Sequence, residues 1–176
     1  MINTGIAGSL NADINIGDIV VSTDLIHHDM NAVAFGYPVG QIPQMEAFSF
    51  HSDDALRTLA VKACKEANPD IEVFEGRIAS GDQFVADQGV KDFITKEFGA
   101  YAVEMEGAAI AQAAYLNNVP FLVIRAISRQ SRWKCRDGLS DIRSAGSRAQ
   151  FQTDTPHSER HSGLKRTLEK ILHRML

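Results

Sequence analysis

Continuous apolar runs alternate with amphipathic segments over the first three quarters of the chain. Residues 14–23 read Ile-Asn-Ile-Gly-Asp-Ile-Val-Val-Ser-Thr, β-branched and at first alternating, then continuous, which predicts a well-buried strand. Apolar runs at 73–79, 100–103 and 121–127 predict three further strands. Because these runs are continuous, we expect a mostly parallel central sheet that is covered on both faces.

Three helices are predicted between the strands. Ser52 or Asp53 can cap a helix that runs to about residue 67, where an Asn-Pro pair stops it. A second helix is predicted over 90–98, ending at Gly99, and a third over 107–116. Strands that alternate with helices predict an α/β fold.

Two segments lack a clear period. The first ten residues contain Gly5 and Gly8, which predict a short strand end followed by a turn whose amides can approach a ligand closely. Residues 24–43 hold histidines, aromatic residues and prolines, and are predicted to be a loop.

Composition describes one domain with a sizeable core. The chain has 176 residues, of which 44% are hydrophobic and 23% charged. No run approaches the roughly 18 apolar residues of a membrane span, and no signal pattern opens the chain, so we expect a cytoplasmic protein. Cys64 and Cys135 lack metal-ligand spacing. Of the six histidines only His157 and His161 stand i, i+4, in a segment discounted below, so we expect no metal ion.

Two carboxylates mark the strongest candidate site. Glu104 and Glu106 follow a buried run, and in an extended segment they would share one face. Acids at a buried strand end are costly unless they bind something. The alternative is an acidic helix N-terminus, where the macrodipole stabilises both. Ligands of parallel sheets lie beyond the carboxyl ends of the strands, so we expect one pocket to be formed by four strand ends, at 5–8, 80–85, 104–106 and 125–128.

Several motifs together resemble one enzyme family. They are Asn-Thr-Gly-Ile-Ala-Gly, Ala-Phe-Gly-Tyr-Pro-Val-Gly-Gln-Ile-Pro, Ser-Gly-Asp-Gln-Phe-Val, Val-Glu-Met-Glu-Gly-Ala-Ala and Val-Pro-Phe-Leu-Val-Ile-Arg-Ala-Ile-Ser. From residue 2 to 128 the chain resembles 5'-methylthioadenosine/S-adenosylhomocysteine nucleosidases of the purine nucleoside phosphorylase-like superfamily. The resemblance implies a three-layer α/β/α domain with a mixed, mostly parallel sheet, here expected to be incomplete at its N-terminal side. It also implies a homodimer that needs no cofactor and hydrolyses the N-glycosidic bond of both nucleosides to adenine and a thioribose, in methionine salvage.

The same resemblance implies roles for individual residues. Ala7 and Gly8 would lie beside the ribose and the attacking water, Phe84 would stack on adenine, and the backbone of Val85 would bind the purine edge. Met105 and Glu106 would hold the sugar, with Glu104 in support, and Arg125 and Ser128 at the last strand end complete the substrate-binding positions. Phe35 and Pro43 match a loop that crosses to the partner subunit and walls the alkylthio pocket. Ile6 replaces the serine usual at its position, which removes a hydroxyl near the water.

Two departures concern catalysis. The family's general base, a glutamate, lies in an N-terminal third that this chain does not match. The general acid, an aspartate that protonates the leaving adenine, is replaced by Arg129, whose guanidinium cannot donate a proton near neutral pH. Each proton transfer is typically worth about 10²–10⁴-fold in rate. We therefore expect no catalytic residue to be retained and the chain to be inactive.

The balance of charged residues also changes sharply at residue 129. Residues 1–128 carry a net charge of −10 and residues 129–176 one of +6, a shift typical of a nucleic-acid or membrane tail. However, one permissible back-translation of residues 129–138, read one base later, begins with the missing aspartate and continues as the family does. We therefore predict a nucleosidase domain over 1–128 and an out-of-frame, partly disordered tail over 129–176, with neither nucleic acid nor membrane as partner. Residues 164–176 have helical spacing, which we interpret as accidental rather than as a membrane-surface or nucleic-acid helix.

Three hypotheses remain open at this point. The chain is a nucleosidase, a phosphate-dependent purine nucleoside phosphorylase, or a non-catalytic fragment that binds adenine nucleosides. Phosphorylases need phosphate ligands, usually arginine, and the matched region holds only Arg57, Arg77 and Arg125, without a phosphate-loop cluster. The missing proton-transfer groups favour the fragment for the chain as it stands.

Overall fold

The computed structural model describes residues 1–130. In chain order its elements are β1 (Ile2–Ser9), β2 (Ile19–His27), β3 (Phe50–His51), α1 (Asp54–Ala67), β4 (Val73–Ser80), α2 (Gln88–Phe98), β5 (Ala102–Glu104), α3 (Gly107–Leu116) and β6 (Leu122–Arg129). A short 3₁₀ turn, Val33–Phe35, interrupts the loop after β2. The predicted tail helix over 164–176 and the His157–His161 pair lie outside the described residues.

The strands form one mixed sheet in the order β3-β2-β4-β5-β1-β6. The pairings β1–β6, β2–β4 and β4–β5 are parallel, whereas β1–β5, β2–β3 and β2–β6 are antiparallel. The two longest registers, β1–β6 and β2–β4, are both parallel. The predicted α/β class with a mixed central sheet is therefore confirmed.

Helices cover both faces of the sheet. Since successive strand residues point to opposite faces, the residues of one strand show which helices lie on which face. On β4, Val73 and Ala79 join the apolar clusters of α1 and α2 respectively. Ile78, which points the other way, joins the cluster that holds Ala108 and Ala111 of α3. Helices α1 and α2 thus share one face, and α3 covers the other.

All three predicted helices are present, and local signals explain their ends. The side chain of Asp53 accepts a hydrogen bond from the amide of Leu56 and caps α1, and Asp87 caps α2 through the amide of Val90. Helix α2 ends at Gly99, whose φ of 63° lies in the left-handed region that glycine adopts without strain. The sequence predicts the Asp53 cap and the end at Gly99 because they use residues close in sequence, whereas α2 begins at Gln88, after Asp87, rather than at the predicted residue 90.

Two sequence predictions of local structure are wrong. Gly5 and Gly8 do not form a turn; both lie within β1, which pairs with β6 from Ile2↔Leu122 onwards. The second strand begins at Ile19 rather than residue 14, because Asn15 and Asp18 form a turn in which the Asn15 amide donates to Asp18 at 2.7 Å. It also continues to His27, through residues predicted as loop.

The continuation of β2 depends on a distant partner. Asp24, only 4% exposed, accepts hydrogen bonds from Nε and Nη2 of Arg77 on the neighbouring β4, the shortest at 2.6 Å. Arg77 also donates from Nη1 to the carbonyl of Phe98 at 2.9 Å. A buried carboxylate is tolerated in a strand when it is paired in this way.

Among the described helices, none is long and apolar enough to cross a membrane.

Candidate active site

Four strand ends meet at one open pocket with a volume of about 180 Å³. Strand β1 contributes Ile6 and Ala7, and the segment after β4 contributes residues 83–85. Residues 103–106 at the end of β5, together with Ser128 and Arg129 of β6, complete the lining. The pocket lies where the sequence places it, at the strand ends that carry the polar and aromatic residues.

Glu104 forms a buried ion pair beneath this pocket. Its Oε2 accepts hydrogen bonds from Arg125 Nε at 3.1 Å and Nη2 at 2.5 Å, and both side chains are only 2% exposed. Arg125 Nη1 donates to the carbonyl of Ile124. Arg125 reaches this position by crossing Gly5, where an added Cβ would lie 3.3 Å from the guanidinium carbon. Gly5 is thus needed for close packing against Arg125.

The same carboxylate also holds the start of α3. The amides of Glu106 and Gly107 donate to Glu104, Gly107 at 2.9 and 3.0 Å to its two oxygens. The hydroxyl of Ser80 donates to Glu104 Oε1 and accepts from the amide of Ala108 at 2.7 Å. Glu104 and Ser80 therefore satisfy amides that the first turn of a helix leaves without partners. The helix N-terminus interpretation thus holds for both acids, because Glu104 accepts from the first amides of α3 and Glu106 is its N-cap residue.

Glu106 lies in a different environment, so the expectation that both acids share one strand face is wrong. Strand β5 ends at Glu104, and Glu106 has φ −128° and ψ −30° at the N-cap of α3. Its side chain is exposed and lines the pocket. Within residues 1–130 its carboxylate has no hydrogen bond or ion pair. Glu106 can therefore accept hydrogen bonds from a ligand, whereas both carboxylate oxygens of Glu104 already accept hydrogen bonds within the protein.

An aromatic ring and a cation are in contact inside the pocket. Phe84 is 53% exposed, and the guanidinium carbon of Arg129 lies 3.9 Å from its ring centroid, in cation–π geometry. The guanidinium also approaches β1, since a Cβ added at Gly8 would lie 3.4 Å from Nη2. Arg129 belongs to β6, which continues one residue past the predicted domain boundary.

The other residues singled out from the sequence fall into two groups. Those that line the pocket with Glu106 and Phe84 are Ala7, Val85, Met105 and Ser128, and Ser128 donates to the carbonyl of Ala7 at 3.2 Å. Those that do not line it are Gly8, Arg125, Phe35 and Pro43. Phe35, in the loop after β2, is 83% exposed, as a residue offered to a partner would be.

The sequence indicates no role for Ser80, which binds Glu104 and the start of α3, or for His28, which is buried. Ser80 was recognisable only as a small hydroxyl residue at a strand end. His28 is buried beside the pocket floor, and its Nε2 has no hydrogen-bond partner within the described chain. Burial lowers the pKa of His28 below 6.5, and the charge of Asp29 offsets part of this effect. Gly81 makes room for the ring, since a Cβ there would lie 2.5 Å from Nε2.

The chain belongs to the phosphorylase superfamily, whose model matches residues 1–162. Within this superfamily it is similar to 5'-methylthioadenosine/S-adenosylhomocysteine nucleosidases. The nucleosidase of Anoxybacillus flavithermus is 47% identical over 129 residues, which cover 73% of this chain and 55% of the relative. The chain thus spans about half the length of the curated relatives it matches.

Solved structures show the same likeness. A mutant nucleosidase of Helicobacter pylori with 5'-methylthioadenosine in its active site is 42% identical with a TM-score of 0.69, over 74% of this chain and 55% of that one. A mutant futalosine hydrolase of the same organism is 38% identical with a TM-score of 0.71, over 82% and 61%. Both names describe enzymes that hydrolyse nucleosides.

Proposed function

We propose that the pocket binds 5'-methylthioadenosine and S-adenosylhomocysteine, as in the nucleosidases that this chain resembles. One observation supports this most directly: an exposed aromatic ring, Phe84, and the carboxylate of Glu106, unbound within residues 1–130, line the same pocket. An aromatic face suits a purine, and a carboxylate can accept two hydrogen bonds from ribose hydroxyls. The phosphorylase-superfamily fold agrees with a nucleoside ligand.

The proposed reaction is hydrolysis of the N-glycosidic bond to adenine and a thioribose. As the bond breaks, the sugar becomes oxocarbenium-like, and the Glu106 carboxylate beside it stabilises the developing positive charge. The leaving adenine must take up a proton. Arg129 stands where the family resemblance puts the acid, and a guanidinium cannot release a proton near neutral pH. We therefore propose that this chain binds its ligand but turns it over at least about 100-fold more slowly than an intact nucleosidase.

Further aspects of the proposal rest on the resemblance. They are a homodimer in which Phe35 and Pro43 wall the partner's pocket, a cytoplasmic location, a part in methionine salvage, and catalysis without a cofactor. The exposure of Phe35 is compatible with such an interface.

A phosphate-dependent phosphorylase is the second candidate. Arg57 pairs with Asp54 and Glu75, Arg77 pairs with Asp24, and Arg125 pairs with Glu104 beneath the pocket. The three arginines of residues 2–128 thus each pair with a carboxylate of the protein, which favours water over phosphate as the second substrate. Adenine release that required phosphate would reverse this preference.

Calorimetry with 5'-methylthioadenosine, run beside an adenine-release assay, separates binding from turnover. We expect binding without turnover at an ordinary enzymatic rate. Glu106→Gln should weaken binding about ten- to 150-fold, because a charge-assisted hydrogen bond is worth about 1.5–3 kcal/mol. Glu97→Gln, an exposed carboxylate on α2, is the matched control and should bind normally. If the wild-type chain does not bind the nucleoside, the proposed function is wrong.

A further inference from the structure

The guanidinium of Arg129 covers one face of the ring that the proposed function assigns to the purine. Its central carbon lies 3.9 Å from the Phe84 centroid, about the distance at which stacked planar groups touch. Strand β1 lies close by, with Gly8 near Nη2. Arg129 and Phe84 both line the pocket, so the contact forms inside the binding site.

A guanidinium and a purine use an aromatic ring in the same way. Both are planar, and both stack on its face. Two such groups cannot occupy the same side of one ring at the same separation. A base that enters the pocket and stacks on Phe84 must therefore displace the guanidinium from that face.

We propose that Arg129 is an internal competitor for the base subsite: its side chain covers Phe84 in the free protein and must move before a purine stacks there. This inference rests on the proposed function and adds a specificity-determining residue to it. A cation–π contact at an exposed site is worth about 0.5–1 kcal/mol, which corresponds to a two- to fivefold change in an equilibrium constant. The competition lowers affinity for the base by that factor.

Adenine alone is the appropriate probe, because it reports on the base subsite without the sugar. Calorimetry should show that Arg129→Ala binds adenine about two- to fivefold more tightly than the wild type. Arg129→Gln, which keeps polarity and most of the length but removes the cation, should also bind more tightly. Arg57→Ala removes the same charge from α1, where Arg57 is half-buried and does not line the pocket, and should leave adenine binding unchanged.

A second measurement needs no ligand. A double-mutant cycle of Arg129→Ala and Phe84→Ala, followed by urea unfolding, should show a coupling between the two residues equal to a two- to fivefold change in the unfolding constant. Equal adenine affinity of the wild type and both Arg129 variants would overturn the competition and leave the proposed function standing. If no variant binds adenine while the coupling is present, the proposed function is the part that fails. Absence of the coupling overturns the inference directly.

Discussion

Arg125 donates two hydrogen bonds to a single carboxylate oxygen of Glu104, and both side chains are almost completely buried. This pair links β6 to the end of β5 directly beneath the pocket. The other contacts of Glu104 go to Ser80 and to amides at the start of α3. The pair therefore positions the pocket floor, and its own charges are not available to a ligand.

Glu104→Gln should be strongly destabilising. The substitution leaves the Arg125 charge buried without a counter-ion, and such losses cost about 3–5 kcal/mol. Urea denaturation at pH 7 measures the free energy of unfolding. Asp54→Asn removes an exposed partner of Arg57 and should cost less than about 1 kcal/mol. If Glu104→Gln lowers the free energy of unfolding no more than Asp54→Asn does, the buried pair contributes little to stability.

Gly5→Ala and Gly8→Ala should differ although both lie in β1. A Cβ at position 5 would lie 3.3 Å from the Arg125 guanidinium, which Glu104 holds in place, so we expect a loss of about 1–3 kcal/mol. A Cβ at position 8 would make an ordinary contact at 3.4 Å with the end of the Arg129 side chain. Thermal unfolding compares the two variants. A Gly5→Ala protein as stable as the wild type would mean that the guanidinium can shift freely.

Asp24 should contribute to stability in a pH-dependent way. Burial alone would raise the pKa of Asp24, but hydrogen bonds from Arg77 and Ser49 and the Arg77 charge hold it below its usual 3.8. The folded state therefore favours the ionised form, and the stabilisation is complete above pH 3.8 and is lost as the pH falls through the lowered pKa.

Asp24→Asn is accordingly expected to lower the free energy of unfolding at pH 7 by about 1–3 kcal/mol. The difference from the wild type should shrink below pH 3.8. Asp70→Asn, in the exposed turn after α1, is the control. A difference that stays constant down to pH 2 would contradict the assignment.

His28 predicts a second pH dependence, closer to neutrality. Burial keeps its folded-state pKa below 6.5, so the unfolded chain takes up a proton first as the pH falls. Its contribution to stability is complete above pH 6.5 and is lost below that value, with a slope of at most about 1.4 kcal/mol per pH unit. His28→Gln should flatten unfolding free energy between pH 7 and 5, whereas His51→Gln, an exposed histidine, should not. Identical slopes for both variants would exclude His28 as the source.

Elements defined by neighbouring residues could be predicted from sequence, and elements defined by distant partners could not. The three helices follow from apolar spacing and from signals such as Asp53 and Gly99. The failures at β1 and β2 share a cause. The glycines of β1 are held in a strand by β6, and Asp24 is held in β2 by Arg77, 53 residues away.

The candidate site shows the same limit. Four strand ends with polar and aromatic residues indicate a pocket, and the structure brings them together. The different environments of Glu104 and Glu106 could not be predicted, because they depend on where β5 ends and on a buried arginine from β6. Two identical residue types two positions apart thus acquire different chemistry from tertiary contacts alone.

The pairing of β6 with β2 has a consequence for self-association. Strands β2, β4, β5, β1 and β6 form a closed circuit of hydrogen-bonded neighbours, because β6 joins β1 on one side and Ile19–Val21 of β2 on the other. Unpaired strand edges are templates for pairing with other chains. Within the described part of the chain, each of these five strands has neighbours on both sides, and the outer edge of the sheet is the two-residue β3. The pairing along β1 is partial, however: only Gly8 and Ser9 pair with β5, so the edge of residues 2–7 that faces away from β6 is where another strand could add to the sheet.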